Sequence, residues 1–540
     1  MEGKEILPKR VINKWELIFL LSSLGILLLV SYNSFLYPVQ IENDSNVFIT
    51  AARYMSEGKF PYKDFFDHKG PMLYILYFLA YSLIPGTCHG IYLMEVICAY
   101  LYMHFTYKSV QLIAATSKTN NECANLKCAL VTIIGCAGSY CITGQSQIEA
   151  LSLPMTAYFL YVLIKWIKTE EMPRRSIYFI GIHCGMIFWM KYYVLLFASV
   201  LIISYCVICV YKKKYKDIKN MFAYGFLGFM TTTFIVLIYL LLTDSLFEMI
   251  YVYFYKNLFQ YASNLNNDNS AIYIKIGSST FTCPGFLYRL SVFTYSIPIV
   301  YMILVMLLRG DLKHNDRKNN AIFIICALDY VFCNLITAFT VLGWKYYYIN
   351  FTAIYGIIFI LCVTPPIPEK MGKHHKLFAP AFIGAMGILI GMLLVDKMDI
   401  SDYNYNRKVQ EDIVSIIKSD VKDMDDLKLC IYNSDYGYSF SLGYLSDDYY
   451  FVAMGPDYHK IIKSYGRKIE AKEYDYILSA ETVLSNNLDA RFLRIVDETE
   501  DEHLTKKEMT DSGYEIVYDN ELKQVNLESC NHIILYRKRK

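Results

Sequence analysis

Net charge is what this chain has least of. Its 540 residues carry 52 lysines and arginines against 50 acids, a balance of +2, so no bulk electrostatic attraction toward nucleic acid exists. A metal-ligand pattern is missing as well. The 15 cysteines are scattered, mostly inside apolar runs, and the CxxC spacing of Cys206 and Cys209 in "SYCVICVY" has no histidine nearby. They read as small apolar packing residues; no divalent metal is supported and no cofactor is called for. The first apolar run, Glu16 to Leu36, is followed by "SYNSFLYP", which offers no small-residue cleavage site. The expectation is a retained signal-anchor. No internal repeat is visible, which argues against the repeat-built carriers.

What is present is apolar surface. Hydrophobic residues make up 55% of the chain, and several runs approach or exceed the ~20 residues that cross a bilayer. The short loops between them are basic: Lys212, Lys213, Lys214, Lys216 and Lys219; Arg174 and Arg175; Arg309, Lys313, Arg317 and Lys318; Lys370, Lys373 and Lys376. The positive-inside rule puts these loops and the N-terminus, with Lys4, Lys9, Arg10 and Lys14, in the cytoplasm. Three stretches are too long for one crossing and hold one polar break each: Cys128 to Trp166 at "TGQSQIE", Ile177 to Tyr211 at Lys191, and Ala321 to Thr364 at "GWKYYY". Each is read as a hairpin turning at the outer face. "PMLYILYFLAYSLIPG" is too short to span and is expected along the outer interface, with the next span from Cys88 to Ala115.

The expected fold is therefore an α-helical polytopic membrane protein with about eleven transmembrane helices, interfacial helices in the first outer loop, and a small extracytoplasmic α/β domain. The membrane domain covers residues 1–396. The outer domain covers 397–540, where the composition turns to Asp, Lys and Tyr. Cys430 and Cys530 could pair there.

The first outer loop concentrates the polarity. In "IENDSNVFITAARYMSEGK", Val47, Phe48, Ala51, Tyr54 and Met55 follow helical spacing up to a stop at Gly58. This reads as a short amphipathic helix on the membrane surface. Asp44 stands at its start, either as a reactive acid or as an N-cap, a role Asn43 and Ser45 would fill equally well. "FPYKDFFDHKGPM" follows, with Tyr62, Asp64, Asp67, His68 and Lys69. Glu149, Lys191, Trp344, Lys345 and Tyr347 fall at the outer turns of the three hairpins. A single lysine at such a depth can simply snorkel to headgroups. Lys69, Lys191 and Lys345 meeting acids on one face instead fit an anionic group at the outer leaflet, beside a carboxylate that takes a proton. Tyr62, Trp344 and Tyr347 are placed to stack on a sugar or line a lipid chain.

"DSNVFITAARYMSEGKFPYKDFFDHKGPMLYI" resembles the first outer loop of membrane glycosyltransferases of the C-type fold, and within them the protein O-mannosyltransferase-like family, which includes aminoarabinose transferases of lipid A. The matching positions are Asp44, Gly58, Pro61 and Tyr62, Asp64, Lys69 and Pro71; "GWKYYYINF" is similar to an aromatic and basic signature before a late span. The resemblance implies an inverting transfer from a polyprenyl-phosphate sugar to an acceptor hydroxyl of a glycan, lipid or protein outside a bacterial cell membrane. Asp44 would be the base. Lys69, with Lys191 and Lys345, would hold the donor phosphate, and Asp64, Asp67, His68 and Glu149 would contact sugar or acceptor, although His68 reads equally well as structural. Much of the family has Asp-Glu where this chain has Asp44-Ser45, which removes a second acid and weakens a metal site. The rival reading is a transporter or flippase for a glycolipid or cell-envelope precursor; a non-catalytic scaffold with the same fold is a second. Fifty tyrosines in a Lys-, Ile- and Asn-rich chain suggest an AT-rich bacterial genome.

Overall fold

The computed structural model describes residues 14–114, 122–143, 148–261, 272–276, 279–283, 317–340, 401–432, 437–451, 455–482, 504–520 and 531–539. Its long helices run alternately up and down. Helix α1 (Lys14–Val30) lies antiparallel to α4 (His89–Ala114). The Tyr92 hydroxyl donates to Leu24 O near one end, while Tyr100 donates to Glu16 Oε2 at the other. Helices α5 (Glu122–Thr143) and α6 (Ile148–Thr169) follow. The apolar stretch Arg174–Tyr211 divides at Lys191 into α7 (Arg174–Lys191), a 3-10 turn (Tyr192–Leu195) and α8 (Leu196–Tyr211). The far ends of this hairpin meet again: Lys212 and Lys214, beyond α8, both bind Glu170, four residues before α7, at 2.8 and 3.0 Å.

Helix α9 (Tyr215–Leu242) then runs parallel to α7 in close contact. Gly181 and Gly185 form a GxxxG step, and a Cβ at Gly181 would stand 2.0 Å from Gly225 O. Backbones approach this closely only where side chains are absent, the device by which helices pack within a bilayer. Among the described residues, Ile148–Thr169, Arg174–Tyr211 and Tyr215–Leu242 are long and apolar enough to cross a membrane. The third expected hairpin, and so the count of eleven, falls mostly outside the described residues. Its first arm is present as helix Arg317–Thr340, whose Lys318 donates to Lys168 O at the basic end.

At the end opposite the basic loops, α2 (Asn43–Ser56) and α3 (Pro71–Leu83) form an antiparallel pair. Phe48 meets Tyr77, and Tyr54 stacks on Phe65 just before α3. Strands β1 (Ile272–Ile276) and β2 (Ser279–Cys283) make a hairpin. The C-terminal part carries β3 (Leu429–Ile431), β4 (Tyr476–Thr482), β5 (Tyr514–Asp519) and β6 (Asn531–Lys538) in the order β3-β4-β6-β5, parallel only between β3 and β4. Helices Ser401–Asp420 and Tyr458–Glu470 accompany the sheet. A small mixed sheet accompanied by helices is thus present in this part of the chain. Cys430 is buried in β3; Cys530 lies outside the described residues.

Three local expectations are corrected. The first helix stops at Val30, not Leu36, because Ser31 and Ser34 turn the chain through Ser34 N–H to Ser31 O and the Ser34 hydroxyl to Leu28 O. Asp44 is not the N-cap of α2. Glu42 occupies that position without a side-chain cap bond, and Asp44 is the second helical residue. Nor is the apolar face of α2 open to a membrane. Val47, Phe48, Ile49, Ala51, Ala52, Tyr54 and Met55 are all buried, packed against α3 and capped by the C-terminal part. Arg53 donates to Ser439 O and Tyr444 O, and Tyr54 to Ser446 O. Gly437, at φ +91°, fits against Gln40 O, where a Cβ would be 2.0 Å away.

Candidate active site

The loop between α2 and α3 is pinned at every turn. Asp64 Oδ2 accepts the Phe60 N–H at 2.7 Å, closing the turn over Pro61, Tyr62 and Lys63 while the carboxylate stays exposed. Tyr62 has φ +71°, an outlier for a bulky side chain. Three bonds hold it there: its hydroxyl to Lys69 O at 2.6 Å, its N–H to Phe65 O at 2.9 Å, and the Tyr449 hydroxyl to its carbonyl at 2.8 Å. The ring is buried against Tyr74 and Lys69 rather than open to a ligand. Strain of this kind persists only where the surroundings over-determine it.

Lys69 follows from that frame. Its N–H donates to the Tyr74 hydroxyl at 3.2 Å. The next residue, Gly70, donates to Met190 O at 3.2 Å and rests on the last turn of α7. The chain therefore places Lys69 beside Lys191, at the end of α7. The carbonyl end of a helix favours cations. Lys191 Nζ lies 2.5 Å from Glu149 Oε1, and the Tyr193 hydroxyl donates to the same oxygen at 2.9 Å. Glu149 is 1% exposed. A carboxylate so buried requires this pairing. Glu149 and Lys191, expected at two separate hairpin turns, thus meet directly.

Asp67 and His68 are both buried. Asp67 Oδ1 accepts the His68 backbone N–H at 2.6 Å and lies 3.3 Å from His68 Nδ1. His68 Nε2 faces Lys69 Nζ at 3.1 Å, and His68 O accepts from Asn257 at 2.8 Å. Burial pushes the Asp67 carboxyl up, but the hydrogen bond from His68 and the charge of Lys69 more than offset it, and it ends below the usual carboxylate range. Burial first, then the charges of Lys69 and Lys191, hold the His68 imidazole below its usual range against the pull of Asp67. The pair is thus a carboxylate beside a neutral imidazole near pH 7.

Asp44 stands at the other end of α2. It is half-buried and has no hydrogen-bond or ion-pair partner among the described residues. It approaches Tyr77 of α3, whose hydroxyl is pushed well above the phenol range by burial first and then by Glu95, Glu42 and Asp44. Tyr77 lies on α3, the helix that follows directly on Lys69 and Gly70. Asp44 on α2 and Lys69 before α3 therefore stand at the same end of the bundle.

Beneath Asp44 runs a polar network that sequence reading missed. Glu95 of α4, 1% exposed, accepts from Ser31 Oγ at 2.6 Å and Asn33 Nδ2 at 3.0 Å. Gln40 Nε2 donates to Asn33 Oδ1 at 2.6 Å and Ser45 Oγ at 3.2 Å, and Gln40 Oε1 accepts the Glu42 N–H at 2.8 Å. The acid inside "YLMEVICAY" was the available signal, since a charge within an apolar helix calls for partners. A second missed contact is the buried ion pair of Lys256 with Asp457, which also accepts from the Tyr450 hydroxyl at 3.1 Å. Lys256 lies over the Phe66 ring, so this pair ties the C-terminal part to the loop. Trp344, Lys345 and Tyr347 lie outside the described residues. Among the described residues no cluster of three His, Cys, Asp or Glu side chains suits a metal ion.

No family model matches this chain, and no curated protein matches it in sequence. Solved structures do match in fold. ArnT from Cupriavidus metallidurans bound to undecaprenyl phosphate aligns with a TM-score of 0.57 at 9% identity, over 97% of this chain and 98% of the other. ArnT from the same organism in the apo state aligns with a TM-score of 0.56 at 8% identity, over 97% of each chain. The likeness is one of fold, and it runs from end to end. It agrees with the C-type fold that the first loop implied.

Proposed function

We propose that the chain is a multi-pass membrane glycosyltransferase that moves a sugar from a polyprenyl-phosphate donor to an acceptor hydroxyl, with inversion, on the extracytoplasmic side of a bacterial membrane. The observation that carries this reading is the convergence of Asp44, an acid with no partner among the described residues, and two cations, Lys69 and Lys191, at one end of a fold shared with a protein bound to undecaprenyl phosphate. In the reaction the acceptor oxygen attacks the anomeric carbon, and the bond from that carbon to the phosphate oxygen breaks. The acceptor proton passes to Asp44 as general base. The polyprenyl phosphate departs with both bonding electrons, its charge met by Lys69, with Lys191 and, from the sequence, Lys345. Positioning and phosphate stabilisation supply most of the acceleration.

The test is an assay of the purified protein with a panel of labelled undecaprenyl-phosphate sugars. Release of undecaprenyl phosphate in step with acceptor glycosylation supports transfer; binding and transbilayer movement without cleavage would make the protein a carrier. Within that assay, Lys69→Ala should weaken the donor about tenfold to a hundredfold, the cost of losing a hydrogen bond between charged groups. Lys69→Arg should recover part of it, since charge survives while geometry changes. Wild-type donor titrations for both variants would remove Lys69 from the site.

The proposed orientation has its own check. In a background lacking the native cysteines, Asp64→Cys should react with an impermeant thiol reagent in intact cells and Lys214→Cys should not. Asp64 is exposed at the end of the bundle carrying the loop, and Lys214 lies at the other, against Glu170. Labelling of the Lys214 site alone would invert the protein and move the site to the cytoplasm.

A further inference from the structure

We propose that His68 is a positioning residue for the donor phosphate: with Asp67 beside one face of the ring, it takes one N–H of the Lys69 ammonium and thereby aims the other two outward. The inference rests on the reading of Lys69 as a phosphate ligand. The Lys69 ammonium can only donate, so the ring nitrogen facing it must accept and the ring proton sits on Nδ1, with the Asp67 carboxylate 3.3 Å away. Nε2 is left with its lone pair, 3.1 Å from Lys69 Nζ. Among the described residues this is the polar side chain that touches the ammonium.

The rest of the geometry fixes the three groups in place. Asp67 is anchored by the His68 backbone N–H, His68 O by Asn257, and Lys69 by Tyr62 and Tyr74 on its carbonyl and N–H. A lysine has four rotatable bonds, and its ammonium is a compact point charge with no preferred direction of its own. A fixed acceptor removes that freedom before the donor arrives, which lowers the ordering cost of binding. A protonated imidazole would instead repel the ammonium. The burial of His68 and its two cationic neighbours, Lys69 and Lys191, keep it neutral.

The test compares two variants of nearly the same shape in the full-length protein. His68→Gln presents an amide oxygen near the place of Nε2, and His68→Met does not. Titration with undecaprenyl phosphate in lipid nanodiscs should give near wild-type affinity for His68→Gln and about tenfold weaker binding for His68→Met. The difference between the two should vanish in a Lys69→Ala background. Thermal midpoints of each variant separate lost binding from lost fold, and His68→Leu is a second acceptor-free variant should His68→Met not fold. Equal affinities for His68→Gln and the acceptor-free variant, with Lys69→Ala still weak, would overturn the role of His68 alone. So would a difference that persists without Lys69. Wild-type affinity in Lys69→Ala would overturn the phosphate reading and this inference with it.

Discussion

Asp44→Asn is expected to lower sugar transfer at least about a hundredfold, the usual scale for losing a general base, while undecaprenyl phosphate binds as before. The two side chains have nearly the same volume. Glu42, not Asp44, occupies the N-cap, so no capping bond is lost. No hydrogen bond or ion pair of Asp44 exists among the described residues to be broken. The substitution therefore removes the proton acceptor and little else. Single-turnover transfer and donor titration, measured on the same preparation, separate the two effects. Retained transfer would leave Asp44 as an ordinary residue of the first turn and would return the choice of base to Glu42 or Glu95, the other acids near Tyr77.

The helices were legible because their signals are local. The breaks expected at "TGQSQIE" and at Lys191 fall where α5 gives way to α6 and α7 to α8, since a polar group or a run of aromatic residues interrupts an apolar stretch whatever surrounds it. Among the described residues, the basic groups Lys212, Lys214 and Lys318 gather at one end, against Glu170 and Lys168. What was misread depends on distant parts of the chain. The period of α2 marks an apolar face, yet nothing in residues 43–56 says that residues 439–446 will cover it; the bonds from Arg53 and Tyr54 bridge 386 to 392 positions. Lys256 and Asp457 are separated by 201 positions, and neither has a local reason to be buried.

The site divides in the same way. The chemistry-bearing residues of "DFFDHKG" stand out because charge is rare in this chain, but their roles do not. Tyr62 looked like a platform for a sugar and is instead buried, its hydroxyl closing the loop onto Lys69 O. Lys191 was expected at the donor phosphate, and it is paired with Glu149. Asp67, His68 and Lys69 are consecutive in sequence, yet only the fold shows that they form a chain of contacts from carboxylate to ring to ammonium.

Gly70→Ala should be nearly as damaging as losing the base, although it removes no chemical group. A Cβ at Gly70 would stand 2.1 Å from Trp189 O, 2.6 Å from Trp189 C and 2.9 Å from Met190 O, all of them backbone atoms at the end of α7. The glycine has φ −78° and ψ 150°, which alanine adopts freely, so the cost comes from close approach and not from the backbone angle. Either the loop or the end of α7 must move. Overpacking of this kind costs about 1–3 kcal/mol, and it acts on the one joint that sets Lys69 beside Lys191. A misplacement of about 1 Å at a reacting centre already costs about a hundredfold, so transfer should fall by at least that factor, with a lower thermal midpoint. Two other glycines calibrate the result. Gly25 has nothing within 4 Å of its Cβ position, and Gly25→Ala should leave transfer unchanged. Gly58 also faces open space but has φ +80°, so Gly58→Ala should cost about 1–2 kcal/mol of stability and spare the site. If Gly70→Ala instead transferred sugar like the wild type, with a normal donor titration, the meeting of Lys69 and Lys191 would be an accident of packing, and the phosphate would have to be held elsewhere.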